Sequence, residues 1–166
     1  MSLYTARGDQ GMTDLCTGQR IAKNSWRVKA YGALDEFGST LGMARAFCKN
    51  EEVREFLYRL QKLNGLLMTD FSSINNYEPK ITHEHVLYLE KMMDKMEEKL
   101  APIEGFLIPG ETQGGACLDL ARTVARRAER VMWDLAKNEV VPDEDRIFLN
   151  RLSDFCFMLM RLEENR

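Results

Sequence analysis

Residues 116–138, ACLDLARTVARRAERVMWDLAKN, decide the fold. Leu120, Val124, Ala128, Val131 and Leu135 fall at steps of three and four, which gathers them into one apolar stripe on a helix. Working outward, the same period recurs on both sides. Ala30, Leu34, Phe37, Leu41 and Ala44 predict a helix over about 26–47. Val53, Phe56, Leu57, Leu60, Leu63, Leu67 and Phe71 predict a second over about 52–74, broken by the segment 75–82 with its Pro79. Thr82, followed by Glu84 and Val86, opens a third that reaches Leu100 through Leu89, Met92, Met93 and Met96. Pro102, Pro109, Gly110, Gly114 and Gly115 interrupt the pattern over 101–115, and beyond Pro142 a last helix covers about 144–163. No useful length of β alternation appears. The expected architecture is all-α: a five-helix bundle over 27–166 behind a glycine-bearing arm, 1–26, the whole forming one domain, 1–166.

One domain is also what 166 residues predict. Twenty-three Lys and Arg against 26 Asp and Glu give a net charge of −3, which argues against a nucleic-acid partner, since a phosphate-backbone binder carries a basic excess. A 45 % apolar and 30 % charged composition excludes wholesale disorder. The densest apolar run, 155–160, falls far short of the ~18 residues of a membrane helix. No charged-then-apolar leader opens the chain, so no membrane partner and a cytoplasmic location are expected. Cys16, Cys48, Cys117 and Cys156 form no C-x-x-C pair and read as reduced thiols, with Cys156 a small buried hydrophobe beside Phe155, Phe157 and Met158. His83 and His85, two apart, point to different faces of a helix, which reads as an exposed helix entrance rather than a metal site.

Three segments carry more than packing. Arg122, Arg126 and Arg130 advance only about 40° per four-residue step and share a face with Glu129, while Arg127 lies beside them. Like charges at that spacing repel by a few tenths of a kcal/mol per pair unless an anion or carboxylate faces them. A solvated charged face and an anion site both fit the pattern. The opening segment Thr5-Ala6-Arg7-Gly8-Asp9-Gln10-Gly11-Met12-Thr13 could bring backbone N–H groups close to a phosphate, because glycine accepts positive φ and offers no side chain; a flexible terminus has the same composition. It is not G-x-x-x-x-G-K-[ST], and no strand precedes it. Asp35 and Glu36, and the Asn150-Arg151-Leu152-Ser153-Asp154 segment, place polar groups in apolar helices, where an unpaired buried one costs about 1–3 kcal/mol; an Asp35–arginine pair across an interface would satisfy one. Phe106 to Gly110 is an apolar loop segment, plainly read as a cap on one end of the bundle.

Taken together and in order, these segments resemble the PduO-type ATP:cob(I)alamin adenosyltransferases. T-x-x-G-D-x-G-x-T is matched by Thr5, Gly8, Asp9, Gly11 and Thr13. A lysine before R-V-x-A-Y-G-x-x-D-E is matched by Lys23, then Arg27, Val28, Ala30, Tyr31, Gly32, Asp35 and Glu36. Phe106, Pro109 and Gly110 match F-x-x-P-G, residues 121–130 match A-R-T-x-x-R-R-A-E-R, and residues 150–154 match N-R-L-S-D. The similarity spans nearly the whole chain; the arginine helix with N-R-L-S-D is its most specific part.

The resemblance implies a ferritin-like, cobalamin adenosyltransferase-like bundle assembled as a homotrimer with sites between subunits. It implies that Co(I) of reduced cobalamin attacks the 5′ carbon of ATP, with Mg²⁺ present, giving adenosylcobalamin and triphosphate. By position, the ATP contacts are Thr5, Ala6, Arg7, Gly8, Thr13, Asp14, Lys23, Arg126, Arg127, Ala128, Glu129, Arg130 and Asn150. Asp35 pairs with Arg126 across the boundary, Phe106 presses on the corrin's lower face, and Arg130, Arg126, Asp35 and Phe106 form the catalytic set. It further implies a corrinoid reductase upstream and an adenosylcobalamin-dependent enzyme downstream. Four positions depart from the pattern. Ala6 stands where lysine is usual, Gly38 where asparagine is usual and Glu111 where a second glycine is common, and Ser73 closes a helix end that is usually acidic and glycine-containing. An ATP- and corrinoid-binding chaperone or sensor on the same fold, with little turnover, is the alternative.

Overall fold

The computed structural model describes residues 4–166, so the first three residues of the arm lie outside the described part. Five helices follow a short hairpin: β1 (Met12–Asp14), β2 (Arg20–Ala22), α1 (Trp26–Phe47), α2 (Glu51–Phe71), α3 (His83–Glu97), α4 (Gln113–Ala136) and α5 (Asp143–Glu164). The bundle is the one expected. The hairpin is not, because three-residue strands are too short to alternate visibly. β1 and β2 pair antiparallel with Thr13 opposite Ile21, and Gly18, at φ 89°, provides the turn.

Each helix start has its own stop-and-start chemistry. The Ser25 hydroxyl accepts from Val28 N–H, the Asn50 side chain from Glu52 and Val53 N–H, and the Thr112 hydroxyl from Gly115 N–H at 2.8 Å. His85 Nδ1 accepts from Thr82 N–H at 3.1 Å, so this histidine caps α3, in keeping with a helix entrance. Asp143 and Glu144 in the first turn of α5 favour the positive end of its dipole. α2 stops at Phe71 rather than near Ile74, and Asn75 and Asn76 turn the chain at φ 55° and 47°. α4 begins at Gln113, so Gly114 and Gly115 lie inside its first turn and not in the loop.

α4 is the central helix, packed against α1 on one side and α5 on the other. Its buried stripe is Leu118, Ala121, Val124, Ala125, Ala128, Met132 and Leu135; Leu120 is exposed and Val131 half-buried, which corrects the stripe expected from spacing alone. Three alanines on that stripe let two helices approach α4 at once. Phe37, Leu41, Leu57, Leu60, Leu89, Phe148 and Phe155 fill the layers around it. Cys156 is fully buried in this core, and Cys48 is buried at the C-cap of α1.

The buried charge lies where the sequence did not point. Arg27, 6 % exposed, donates to the carbonyls of Phe71 and Ser73 at 3.0 and 2.9 Å and pairs with Glu139 at 2.7 Å. One guanidinium thus ties α1 to the turn after α2 and the loop after α4. Beside it, Asp70 accepts from Lys80 and Ile81 N–H, and the Asp145 carboxyl, 1 % exposed, abuts Asp70 with no donor of its own. Two carboxylates can bond only through a proton held between them. Burial first, then the charge and hydrogen bond of Asp70, push Asp145 up to about 8 from its ordinary 3.8. The fold therefore favours protonated Asp145, and the stability this group contributes falls as pH rises from about 4 to about 8. Asp145→Asn keeps a donor at every pH. Its melting temperature relative to the parent should climb by about 2–4 °C or more between pH 5 and pH 8, a shift worth about 1 kcal/mol in a chain of this size; parallel pH curves would contradict the shared proton.

Candidate functional site

The arm is ordered by its own ion pairs. Asp14 holds Arg7 and Arg20, each at 3.1 Å, and the Arg20 guanidinium also donates to the Arg7 carbonyl. The turn over 6–11 closes with Asp9 N–H on Ala6 carbonyl and Gly11 N–H on Gly8 carbonyl, and Lys23 N–H bonds the Gly11 carbonyl at 2.8 Å. A Cβ on Gly8 would sit 2.9 Å from Lys23 Nζ, so this glycine admits the ammonium group. Ala6 takes φ 58°, a conformation that costs an L-residue about 1–2 kcal/mol, at the position where lysine is usual. The arm rests on the turn after α2, through Cys16 N–H on Ser72 carbonyl at 2.8 Å and Ile74 N–H on Thr17 Oγ1 at 3.1 Å. Thr5 is exposed and Thr13 half-buried.

On α4 the arginines divide into two kinds. Arg122 Nε bonds Asp119 at 2.8 Å, and Arg127 reaches Glu36 of α1 at 2.5 Å. The Arg127 hydrogen bond draws the Glu36 carboxyl below the usual carboxylate range, although both side chains stand in water, where such a pair is worth about 0–1 kcal/mol. Arg126 and Arg130 are exposed and have no hydrogen bond or ion pair among the described residues. Glu129 is half-buried and Ala128 sits in the core, so Ala128 offers a ligand no side chain. Asp35 is exposed and likewise unpaired among the described residues; it is Glu36, not Asp35, that reaches α4 within one chain.

Two cavities flank this face, both in the groove between α4 and α5. One, about 360 Å³, is lined by Arg122, Arg126, Ser153, Asp154, Phe157 and the loop carrying Phe106. The other, about 430 Å³, is lined by Trp133, Ile147, Asn150 and Arg151. Arg126, Arg130 and Trp133 succeed one another at helical steps on α4, as Asn150, Asp154 and Phe157 do on α5, so one strip joins the two cavities. Phe106 is 92 % exposed, with Ile103 and Ile108 also exposed beside it. The reading of this segment as a cap holds only for Leu107, which packs half-buried on the core; Ile103 and Phe106 line the first cavity and Ile108 stands in solvent. The arm makes no hydrogen bond or ion pair with Arg126 or Arg130 of its own chain among the described residues.

The remaining departures have structural answers. A Cβ on Gly38 would lie 2.9 Å from Asn64 Nδ2; this glycine makes room for a buried asparagine that bonds the Leu34 carbonyl at 2.9 Å. The Glu111 carboxylate faces the Arg166 guanidinium at 3.7 Å. Ser73 is buried, its hydroxyl bonding the Thr69 carbonyl at 2.7 Å and its own carbonyl taken by Arg27.

Fold and site define a class: a five-helix bundle that offers an anionic ligand an arginine-lined groove with an apolar loop at one end. The sequence profile of the family described as cobalamin adenosyltransferase matches residues 3–163. The chain is 37 % identical over 166 residues to a corrinoid adenosyltransferase of Citrobacter freundii, covering 98 % of this chain and 94 % of that one. It is 34 % identical to the corrinoid adenosyltransferase PduO of Salmonella typhimurium, of which it spans half. A variant of the PduO-type ATP:corrinoid adenosyltransferase from Lactobacillus reuteri, complexed with cobalamin and ATP, superposes with a TM-score of 0.92 at 29 % identity, covering 99 % of this chain and 93 % of that one. A second variant of it, complexed with ATP, gives 0.90 at 31 % identity over 96 % of this chain and 93 % of that one. The chain belongs to the cobalamin adenosyltransferase family.

The two kinds of arginine predict two kinds of variant. Arg126→Ala or Arg130→Ala leaves no buried partner behind, so urea unfolding of the isolated chain should change by no more than about 0.5 kcal/mol. Arg27→Ala strands two buried carbonyls and should cost about 2–4 kcal/mol. Equal losses at the two sites would show that Arg126 and Arg130 serve the fold.

Proposed function

We propose that this protein is an ATP:cob(I)alamin adenosyltransferase, moving the 5′-deoxyadenosyl group of ATP to the cobalt of cob(I)alamin with release of triphosphate, at sites formed between subunits of a homotrimer. The observation that carries the reading is the pair of unneutralised guanidinium groups, Arg126 in the cavity beneath Phe106 and Arg130 one turn on toward the cavity at Asn150. A polyphosphate is the ligand such a row fits, since each planar fork grips phosphate oxygens in pairs. The unjoined arm supports a shared site: Thr5 to Gly8, Thr13, Asp14 and Lys23 of one protomer would cover a nucleotide held by Arg126 to Arg130 and Asn150 of its neighbour, with Asp35 meeting Arg126 across the boundary.

In this reaction the nucleophile needs no base, because Co(I) attacks the 5′ carbon with its own electron pair. The C5′–O bond breaks, and its electrons go to the triphosphate. Negative charge grows on the leaving group, so fixed guanidinium groups stabilise the transition state more than bound ATP. Lys23, packed against Gly8, adds a cation to the phosphates from the arm. Phe106 would offer an apolar face to the corrin where a nitrogen ligand would otherwise sit. Among the described residues no three or more His, Cys, Asp or Glu side chains converge as a metal site. Mg²⁺ prefers phosphate oxygens and water, so it comes with the nucleotide and neutralises part of its charge. The same reading places the protein in the cytoplasm, with a corrinoid reductase supplying Co(I) and an adenosylcobalamin-dependent enzyme taking the product.

Incubation with ATP, Mg²⁺ and chemically reduced cobalamin should produce the adenosylcobalamin spectrum. Arg130→Ala should lower kcat/KM for ATP by about 10²–10³, or 2–4 kcal/mol of transition-state stabilisation, with helicity unchanged. Tight binding of ATP and Co(II)balamin with no product under strong reduction would favour the chaperone or sensor. Unaltered kinetics of the Arg130 variant would remove the residue from the site.

A further inference from the structure

The loop over 101–111 that presents Phe106 has no backbone–backbone hydrogen bond of its own among the described residues. Side chains from the end of α5 hold it instead. The Glu164 side chain is wholly buried, and its carboxylate accepts from Glu111 N–H at 3.1 Å and Thr112 N–H at 3.4 Å. Arg166 grips that carboxylate with Nε at 2.8 Å and Nη2 at 2.6 Å, and the same Nη2 donates to the Ile108 carbonyl at 2.7 Å, two residues from Phe106. Arg161, also buried, bonds the Ala101 carbonyl at the loop's start and the Arg166 carbonyl at 3.0 Å. The seat for Glu164 exists because Gly115 has no side chain; a Cβ there would overlap the carboxylate.

We propose that Glu164 and Arg166 are positioning residues for the corrinoid side of the site, acting through Phe106. This rests on the function proposed above. Phe106 must stay out in solvent to meet a corrin, so it cannot be fixed by its own burial; Leu107 alone of the tip packs on the core, and the two stems are fixed by polar contacts. A buried carboxylate bridging the start of α4 and a guanidinium on the loop carbonyl does that. It also couples the loop to the helix that carries Arg126 and Arg130. The neighbouring Glu163 provides an internal control. It uses the same chemistry, accepting from Lys49 and Asn50 N–H at 2.8 and 3.1 Å, but it caps α2, and none of its bonds reaches the loop.

The test compares Glu164→Gln, Arg166→Met and the control Glu163→Gln, with and without Phe106→Ala. Hydrogen exchange of residues 101–112 should quicken in the first two and not in the control. KM for cobalamin should rise, or kcat fall, by about tenfold or more, while KM for ATP stays within about twofold; a displacement of about 1 Å is enough for such a loss. Arg166→Met removes only the outer half of the clamp, so it reports even if Glu164→Gln folds poorly. Glu164→Gln should cost nothing further once Phe106 is alanine. Unchanged loop exchange, cobalamin kinetics matching the Glu163 variant, or a full additional loss in the Phe106→Ala background would each overturn the proposal. A parent protein that makes no adenosylcobalamin, with loop exchange still responding, would instead overturn the function on which it rests.

Discussion

Arg126 and Arg130 stand one helical turn apart on α4 with no carboxylate of their own chain against them among the described residues. Their neighbours Arg122 and Arg127 are each matched, by Asp119 and by Glu36. Neutralisation therefore skips two successive positions along the α4–α5 groove. Like charges held this close are a cost the free protein carries, and an anion relieves it. The rest of the molecule keeps that cost in place. Ala121, Val124, Ala125 and Ala128 are buried between α1 and α5, so α4 cannot turn its charged face elsewhere without opening the core. The field is thus preorganised, and under the proposed reaction little reorganisation would be needed when charge develops on the leaving triphosphate.

The two ends of the bundle are built by buried polar chemistry with different tasks. At the arm's end, Arg27 and the Asp70–Asp145 pair fix the turn after α2, and the arm leans on that turn through Cys16 and Thr17. At the other end, Glu164 and Arg166 fix the loop that presents Phe106. Between them runs the groove. The arm and the loop that carries Phe106 are therefore anchored by separate sets of contacts.

Most of the bundle could be read from the chain because apolar spacing at three and four residues is a local signal, and so is a helix start such as Thr82. The arginine face was readable for the same reason. What escaped depends on contacts between residues distant in sequence. The spacing rule put Leu120 on the buried stripe, but two flanking helices select the alanine side of α4 instead. Asp35 and Glu36 drew attention as polar residues in an apolar helix, yet both face solvent, while the buried carboxylates are Asp70 and Asp145. Gly114 and Gly115 read as loop; adjacent glycines just inside a helix start were the available sign that something large approaches there, and Glu163 and Glu164 do.

The most direct measurement is complementation between subunits. Lys23→Ala disables the arm, and Arg130→Ala disables the groove; each alone should be nearly inactive. Dissociated and reassembled together in equal amounts, they should recover about a quarter of the parent activity, since a random neighbour pair joins an intact arm to an intact groove that often when the two lie on different protomers. No recovery from mixed oligomers that demonstrably form would place arm and arginines of the same chain in one site, and would contradict the shared groove.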